Sequence, residues 1–180
     1  MKTLYTLIFT LLIVSQVKSQ DTFLTKTGYV SFFSHSLVED IKADNNQGVS
    51  IINTKTGEIA IQVLMRSFKF EKALMQEHFN ENYVESDKYP KAIFKGSILN
   101  FEKLPNEQTT VNIAGILTVH GKEKKVETKA ILQTTSDEII LRGNFMVEVA
   151  DFDIKIPSVV INNIAKVVKI SFGFHHTPYK

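Results

Sequence analysis

The chain has no cysteine and no tryptophan among its 180 residues. Without cysteine there are no disulfides, no thiolate metal sites, no cysteine nucleophile and no lipid-modified cysteine of the bacterial lipoprotein kind. Arginine is nearly missing too: of 21 basic residues only Arg66 and Arg142 carry the planar guanidinium that grips phosphate or carboxylate bidentately. The longest apolar run, Leu4 to Val14, is eleven residues, where a helix needs roughly twenty to span a bilayer, so no stable membrane span is expected. No G-x-S-x-G elbow, no glycine-rich phosphate loop after a strand and no H-E-x-x-H helix occurs. An enzyme is therefore not expected, and neither is a cofactor. There are no heptads and no internal repeat, which leaves one domain with a sizeable core.

Before the domain comes a leader. MKTLYTLIFTLLIVSQVKSQ starts basic at Lys2, continues apolar and has small residues at Ser15 and Ser19, the pattern of a secretory signal peptide. Cleavage after Val17-Lys18-Ser19 is expected, leaving residues 20–180 as the mature domain, periplasmic or secreted. It removes Lys2 and Lys18 from the 21 basic residues and no acid, so 19 bases face 19 acids. A neutral mature chain, clustered in positive charge only at Lys122, Lys124 and Lys125, gives no footprint for nucleic acid.

The rest alternates in the manner of strands. From Phe23 to Ala43 Val30 and Phe32 share one face and Tyr29, Ser31 and Phe33 the other, with Leu37–Ala43 as a short strand or bend; Asp44-Asn45-Asn46-Gln47-Gly48 has turn chemistry. A hairpin is expected from Gly48–Asn53 to Glu58–Arg66, with Ile59, Ile61, Val63 and Met65 pointing inward. Ala92–Phe101 places Phe94, Gly96 and Ile98 on one face, and a turn follows at Leu104-Pro105-Asn106-Glu107. Val111–Val119 pairs with Lys125–Gln133 across His120-Gly121, with Ile113, Gly115 and Leu117 on one face. Glu138–Val149 alternates most cleanly, with Phe145 and Val147 inside and Arg142 outside. A long connection through Pro157, Asn162 and Asn163 leads to Lys166–His175, where Val168, Ile170, Phe172 and Phe174 share a face. About eight strands and one helix predict an all-β protein, an antiparallel up-and-down β-barrel, with a sandwich as the other architecture.

The stretch Phe68–Gly96 does not alternate. Glu71–Tyr83 is rich in helix formers; Phe70–Leu74 and Met75–Phe79–Tyr83 recur at helical spacing, and Pro90 stops the helix before it. This predicts one amphipathic helix capping the barrel, with His78 one turn after Leu74 and able to face the mouth. The other histidines speak against a metal: His175 and His176 are adjacent and point to opposite faces of a strand, His120 reads as an exposed turn residue, and His35 receives no role. Asp151 and Asp153 read as a solvated strand end rather than a carboxylate pair.

Three stretches together resemble the YceI family, in the version found in Bacteroidetes-type bacteria. They are LMQEHFNENYVESDKYPKAIFKG, then AGILTVHGKEKKV against G-x-L-T-x-x-G-x-x-K-x-V, then Phe145 to Ile154 against F-x-V-x-x-x-D-F-x-I. The likeness runs from about Gly28 to the C-terminus; GYVSFFSHS matches the family's early F-x-x-x-H pattern only in part. The resemblance implies a lipocalin-like barrel that binds an isoprenoid-like lipid. The inward faces then nominate Phe32, Ile61, Val63, Phe94, Ile98, Leu117, Phe145, Val147, Ile170 and Phe172 as lumen residues, and Leu74, Met75, His78 and Phe79 as the lid, with Arg66 at the mouth meeting a headgroup or standing as a rim charge. Thirteen phenylalanines suit an apolar lumen and equally suit a solid one. The alternative function is thus a structural or stress-related interaction protein whose barrel is filled by its own side chains. Homodimerisation stays open at this stage.

Overall fold

The computed structural model describes residues 21–35, 39–101, 107–156 and 166–179. The expected leader, residues 104–106 of the expected turn, residues 37 and 38 of the expected strand or bend, and the expected connection through Pro157, Asn162 and Asn163 lie outside them.

Nine strands occur among the described residues: β1 (Thr22–Ser34), β2 (Ile41–Asn53), β3 (Glu58–Leu64), β4 (Lys69–Phe70), β5 (Lys91–Ile98), β6 (Thr109–Val119), β7 (Lys122–Thr134), β8 (Ile139–Glu148) and β9 (Val167–Pro178). Eight of them pair antiparallel with their sequence neighbours, and β1 pairs with both β2 and β9, so the sheet closes on itself. The result is the up-and-down barrel the alternation predicts, not a sandwich. Closure leaves no free edge in the eight-stranded wall, which suits a chain without disulfides. The ninth strand, β4, adds two residues to the start of β2, opposite Ala43 and Asp44.

One departure from expectation explains how the wall curves. Asp44–Gly48, read above as a turn, runs through the middle of β2. The register to β1 shifts on both sides of the Gly28–Gly48 pair, which marks an irregularity of the bulge kind. Asn45 completes the backbone there: its side-chain oxygen accepts from Gln47 N–H at 2.8 Å and its amide donates to the Leu64 carbonyl at 3.0 Å. Turn chemistry was present, and it bends two 13-residue strands instead of ending one.

The helix lies where expected, starting two residues after Glu71 and reaching Tyr83. α1 spans Ala73–His78 and passes into a wide turn over Phe79–Tyr83, where Val84 N–H donates to Phe79 O at 3.0 Å and the Asn80 amide donates to Gln76 O at 2.8 Å. It ends ahead of Pro90, as expected, and the Pro90 carbonyl accepts from Met65 N–H at 3.0 Å. At β6–β7 the connection His120-Gly121 has φ of 50° and 72° in succession, which matches the two-residue hairpin turn.

The core has two parts. At one end of the barrel Phe23, Ile52, Ile98, Leu132, Ile139 and Leu141 pack solidly and are almost wholly buried. At the other Met65, Phe68 and Val84 form a second cluster under α1, together with Phe32, Phe70 and Phe79.

Candidate functional site: an apolar cavity under the helix

Between the solid end and α1 lies a cavity of about 530 Å³, within the usual range for small-molecule sites. Its walls are inward-facing residues of the strands. β3 supplies Ile59, Ile61 and Val63; β5 supplies Phe94; β6 supplies Ile113 and Leu117; β8 supplies Phe145 and Val147; β9 supplies Ile170, Phe172 and Phe174; and β1 supplies Phe32. Leu74, Met75, His78 and Phe79 border it from α1 and the following turn. Among the nominated lumen residues only Ile98 falls outside: it is 2 % exposed within the solid end, two steps of alternation beyond Phe94.

Aromatic contacts hold the helix in place. Phe79 stacks on Phe32 at 5.3 Å between ring centroids and meets Phe70 at 5.0 Å and Phe68 at 5.7 Å. Offset and edge contacts of this kind add about 0.5–1.5 kcal/mol per pair beyond burial. Leu74, by contrast, is 60 % exposed at the mouth. Phe68, Phe70, Tyr83 and Val84 line the cavity as well and were not nominated. Their signal was available, since Phe68 and Phe70 are two residues apart directly after the inward Met65.

Glycines let the lumen rings lie back against the wall. A Cβ at Gly96 or Gly115, which face each other across β5 and β6, would come within 2.8 or 2.7 Å of the Phe94 ring; one at Gly28 would sit 2.1 Å from Phe174. The open half of the barrel owes its space to these seats. The self-filled alternative thus describes one end of the barrel only.

Few polar groups border the cavity. Ser34, Glu39, His78 and Tyr83 stand among the lining residues from the helix and the β1–β2 end, and Thr128 donates its hydroxyl to the Asn144 carbonyl at 3.0 Å. Glu39 forms an ion pair with Lys72, and burial pushes the Tyr83 phenol up, keeping it neutral.

Arg66 is not among the cavity-lining residues and fits the second of its two readings, a rim charge. It leaves from a 3-10 turn, Met65–Ser67, toward the outside, where it pairs with Asp87 and donates Nε–H to Ser86 Oγ at 3.3 Å. Arg142 is exposed, as expected. Asp151 and Asp153 form separate ion pairs with Lys124, at 2.5 Å, and Lys122, at 3.8 Å, which also neutralises most of the basic cluster.

The histidines have individual roles. His175 and His176 do point apart: His175 meets Glu138 at 3.0 Å on the surface, while His176 is fully buried. His176 Nδ1–H donates to the Ile139 carbonyl at 3.0 Å and Nε2 accepts from Ser50 Oγ at 2.8 Å, so both ring nitrogens are satisfied in the neutral form. Burial lowers its pKa to about 4. His120 is not a free turn residue. Its ring is held between Phe152 O at 2.9 Å and the Glu85 carboxylate at 2.8 Å, with Tyr89 against it, clasping the segment after α1 to the β6–β7 turn. No group of three or more histidine or acidic side chains suited to a metal occurs among the described residues.

Comparison with known proteins agrees with this architecture. No curated protein matches. A solved polyisoprenoid binding domain from Saccharophagus degradans, implicated in plant cell wall breakdown, superposes with a TM-score of 0.75 at 16 % identity, covering 88 % of this chain and 99 % of its own. BcnA of Burkholderia cenocepacia gives 0.70 at 16 % identity over 83 % of this chain and 96 % of its own, and the Campylobacter jejuni YceI protein 0.64 at 14 % over 81 % and 90 %. At such identities the likeness is one of fold. The YceI-like domain family, however, matches residues 14–175, nearly the whole sequence, and the chain belongs to that family.

Proposed function

We propose that this protein is an exported carrier that takes up the apolar chain of an isoprenoid-like lipid under α1, for sequestration or transfer, and that it is a binding protein rather than an enzyme. The observation that carries the reading is the cavity itself: about 530 Å³ bounded almost wholly by aliphatic and aromatic side chains, with an exposed leucine, Leu74, at its mouth. A hydrocarbon chain needs nothing more, because each buried methylene contributes about 0.8 kcal/mol with no polar contact. A relative of the same fold is a polyisoprenoid binding domain, which supports the ligand class. The chain enters past Leu74 and Met75 and lies along Phe94, Leu117 and Phe145. With Arg66 turned away, the polar head stays at the rim beside His78 and the Glu39–Lys72 pair. The leader at residues 1–19 supports export to the periplasm or beyond.

The test is to place a charge in the lumen. Phe145→Arg puts a guanidinium where a ligand tail would lie, and uptake of an apolar fluorescent probe such as a polyene fatty acid should vanish while far-UV circular dichroism keeps the barrel signature. Undiminished uptake by a folded variant would overturn the lumen assignment. N-terminal sequencing of protein from the cell envelope tests export: a start at Gln20 supports it, and an intact Met1 confined to the cytosol contradicts it.

A further inference from the structure

Closure gives every strand of the wall a partner on each side, but not along its whole length. The β7–β8 register joins Ala130–Thr134 to Ile139–Gly143 and stops there, although both strands run on toward the mouth. Continued at the same offset, Lys129 to Lys125 would face Asn144 to Glu148, and none of these pairs forms. On their other sides the same strands are fully laced: β7 pairs with β6 as far as Lys122, and β8 with β9 as far as Glu148. A similar break between β2 and β3 is filled by β4 and by the Asn45 amide on the Leu64 carbonyl. In the unlaced half of the β7–β8 seam a single hydrogen bond crosses among the described residues, from the Thr128 hydroxyl to the Asn144 carbonyl at 3.0 Å.

The seam opens on the lumen: Val126 and Thr128 on one flank and Phe145 and Val147 on the other all line the cavity. Its upper end is strapped rather than laced. The 3-10 turn Val149–Phe152 follows β8, and Val149 and Phe152 cover the lumen there. Asp151 pairs with Lys124 at 2.5 Å, Asp153 just after the turn pairs with Lys122 at 3.8 Å, and His120 holds the Phe152 carbonyl. Both ion pairs reach solvent, where such pairs hold little. The α1 side of the mouth is fastened harder, because Phe79 lies against the rings of Phe32, Phe68 and Phe70 over the buried Val84.

Resting on the reading of the lumen as a lipid site, we propose that the unlaced half of the β7–β8 seam is the gate of that site. The mouth widens by parting β7 from β8 with the strap released, and the ligand passes Leu74 and Met75 while α1 stays docked. A laced seam would have on the order of five more backbone hydrogen bonds to break. This one has the threonine hydroxyl, the two ion pairs and the His120 bond.

The chain has no cysteine, so an introduced pair forms a unique disulfide. Glu127→Cys with Met146→Cys puts thiols on the exposed outer faces of β7 and β8 across the unlaced half, and Ile131→Cys with Arg142→Cys does so at a registered pair in the laced half. The measurement is stopped-flow uptake of a polyene fatty acid, and its release to excess phosphatidylcholine vesicles, with each pair oxidised and reduced. Oxidation of the seam pair should slow uptake and release together by about tenfold or more, with Kd held within about twofold, and reduction should restore both rates. Oxidation of the laced pair should change neither. Thr128→Val with Asp151→Asn removes ties across the seam and should speed both rates by about three- to thirtyfold. A seam disulfide that forms and leaves the rates unchanged overturns the gate while leaving the lumen reading intact, as does a seam pair that stays reduced where the laced pair oxidises. If the seam pair does not fold, unchanged rates in Thr128→Val with Asp151→Asn overturn it. Failure of the wild type to take up the probe overturns the lumen reading as well.

Discussion

His176 makes the barrel acid-labile in a defined window. The ring is fully buried, hydrogen-bonded as the neutral form to Ile139 and Ser50, and burial lowers its pKa from the ordinary 6.5 to about 4. In the unfolded chain the ring takes up a proton as pH falls through 6.5; in the folded barrel it does not until about 4. The unfolded state thus binds more protons between those values. The stability held by the neutral ring is fully present above pH 6.5 and is lost progressively down to about pH 4, below which this group has no further effect. At 1.36 kcal/mol per pKa unit the loss is about 3 kcal/mol, a large share of the 5–15 kcal/mol typical of a domain. Urea unfolding followed by far-UV circular dichroism at steps from pH 7.5 to 4 measures it. Other groups titrate in the same range, so the decisive quantity is the difference between wild type and His176→Gln, which keeps hydrogen-bonding capacity but cannot titrate. The variant should be less stable at pH 7.5, and the gap should narrow by about 3 kcal/mol on acidification. Parallel curves for the two proteins would refute the reasoning, as would a His176 ring resonance titrating near the ordinary value.

Two further outcomes follow from the surroundings of α1. Glu85→Gln or His120→Ala should release the clasp over Phe152 and Tyr89 at a cost of about 1–3 kcal/mol, read as faster hydrogen exchange of the amides between Val84 and Tyr89 with the barrel strands unchanged. Arg66→Ala should leave probe uptake within twofold of wild type, because its guanidinium is held outside by Asp87 and Ser86; a large loss would return Arg66 to the site.

The barrel was legible because its signal is periodic. Ile139 to Glu148 could be assigned to a face residue by residue, and so could Ile59 to Leu64, since a strand with one face on a core has a period of two that nothing else imitates. The lumen followed as far as the pattern reached. Ile98 shows its limit: alternation tells inside from outside but not how deep along the barrel axis a residue lies, and the boundary between solid and open falls between Phe94 and Ile98. Asp44–Gly48 was misread because local turn propensity has no knowledge of closure. In a barrel the same residues bend a strand, with Asn45 restoring the backbone hydrogen bonds to Gln47 and Leu64. Arg66 stayed open between a headgroup partner and a rim charge because the strand gives way to a 3-10 turn at Met65, and the direction of a side chain past that point is set by tertiary pairing with Asp87. The clasp of His120 on Glu85, 35 residues away in sequence, left no local trace at all.

The central claim is that the open half of this barrel holds a lipid. Native mass spectrometry of mature protein purified from its own cell envelope, followed by organic extraction, tests it most directly. The account predicts a stoichiometric apolar adduct that Phe145→Arg does not carry. A clean apo mass, unchanged after incubation with isoprenoid alcohols, would contradict it.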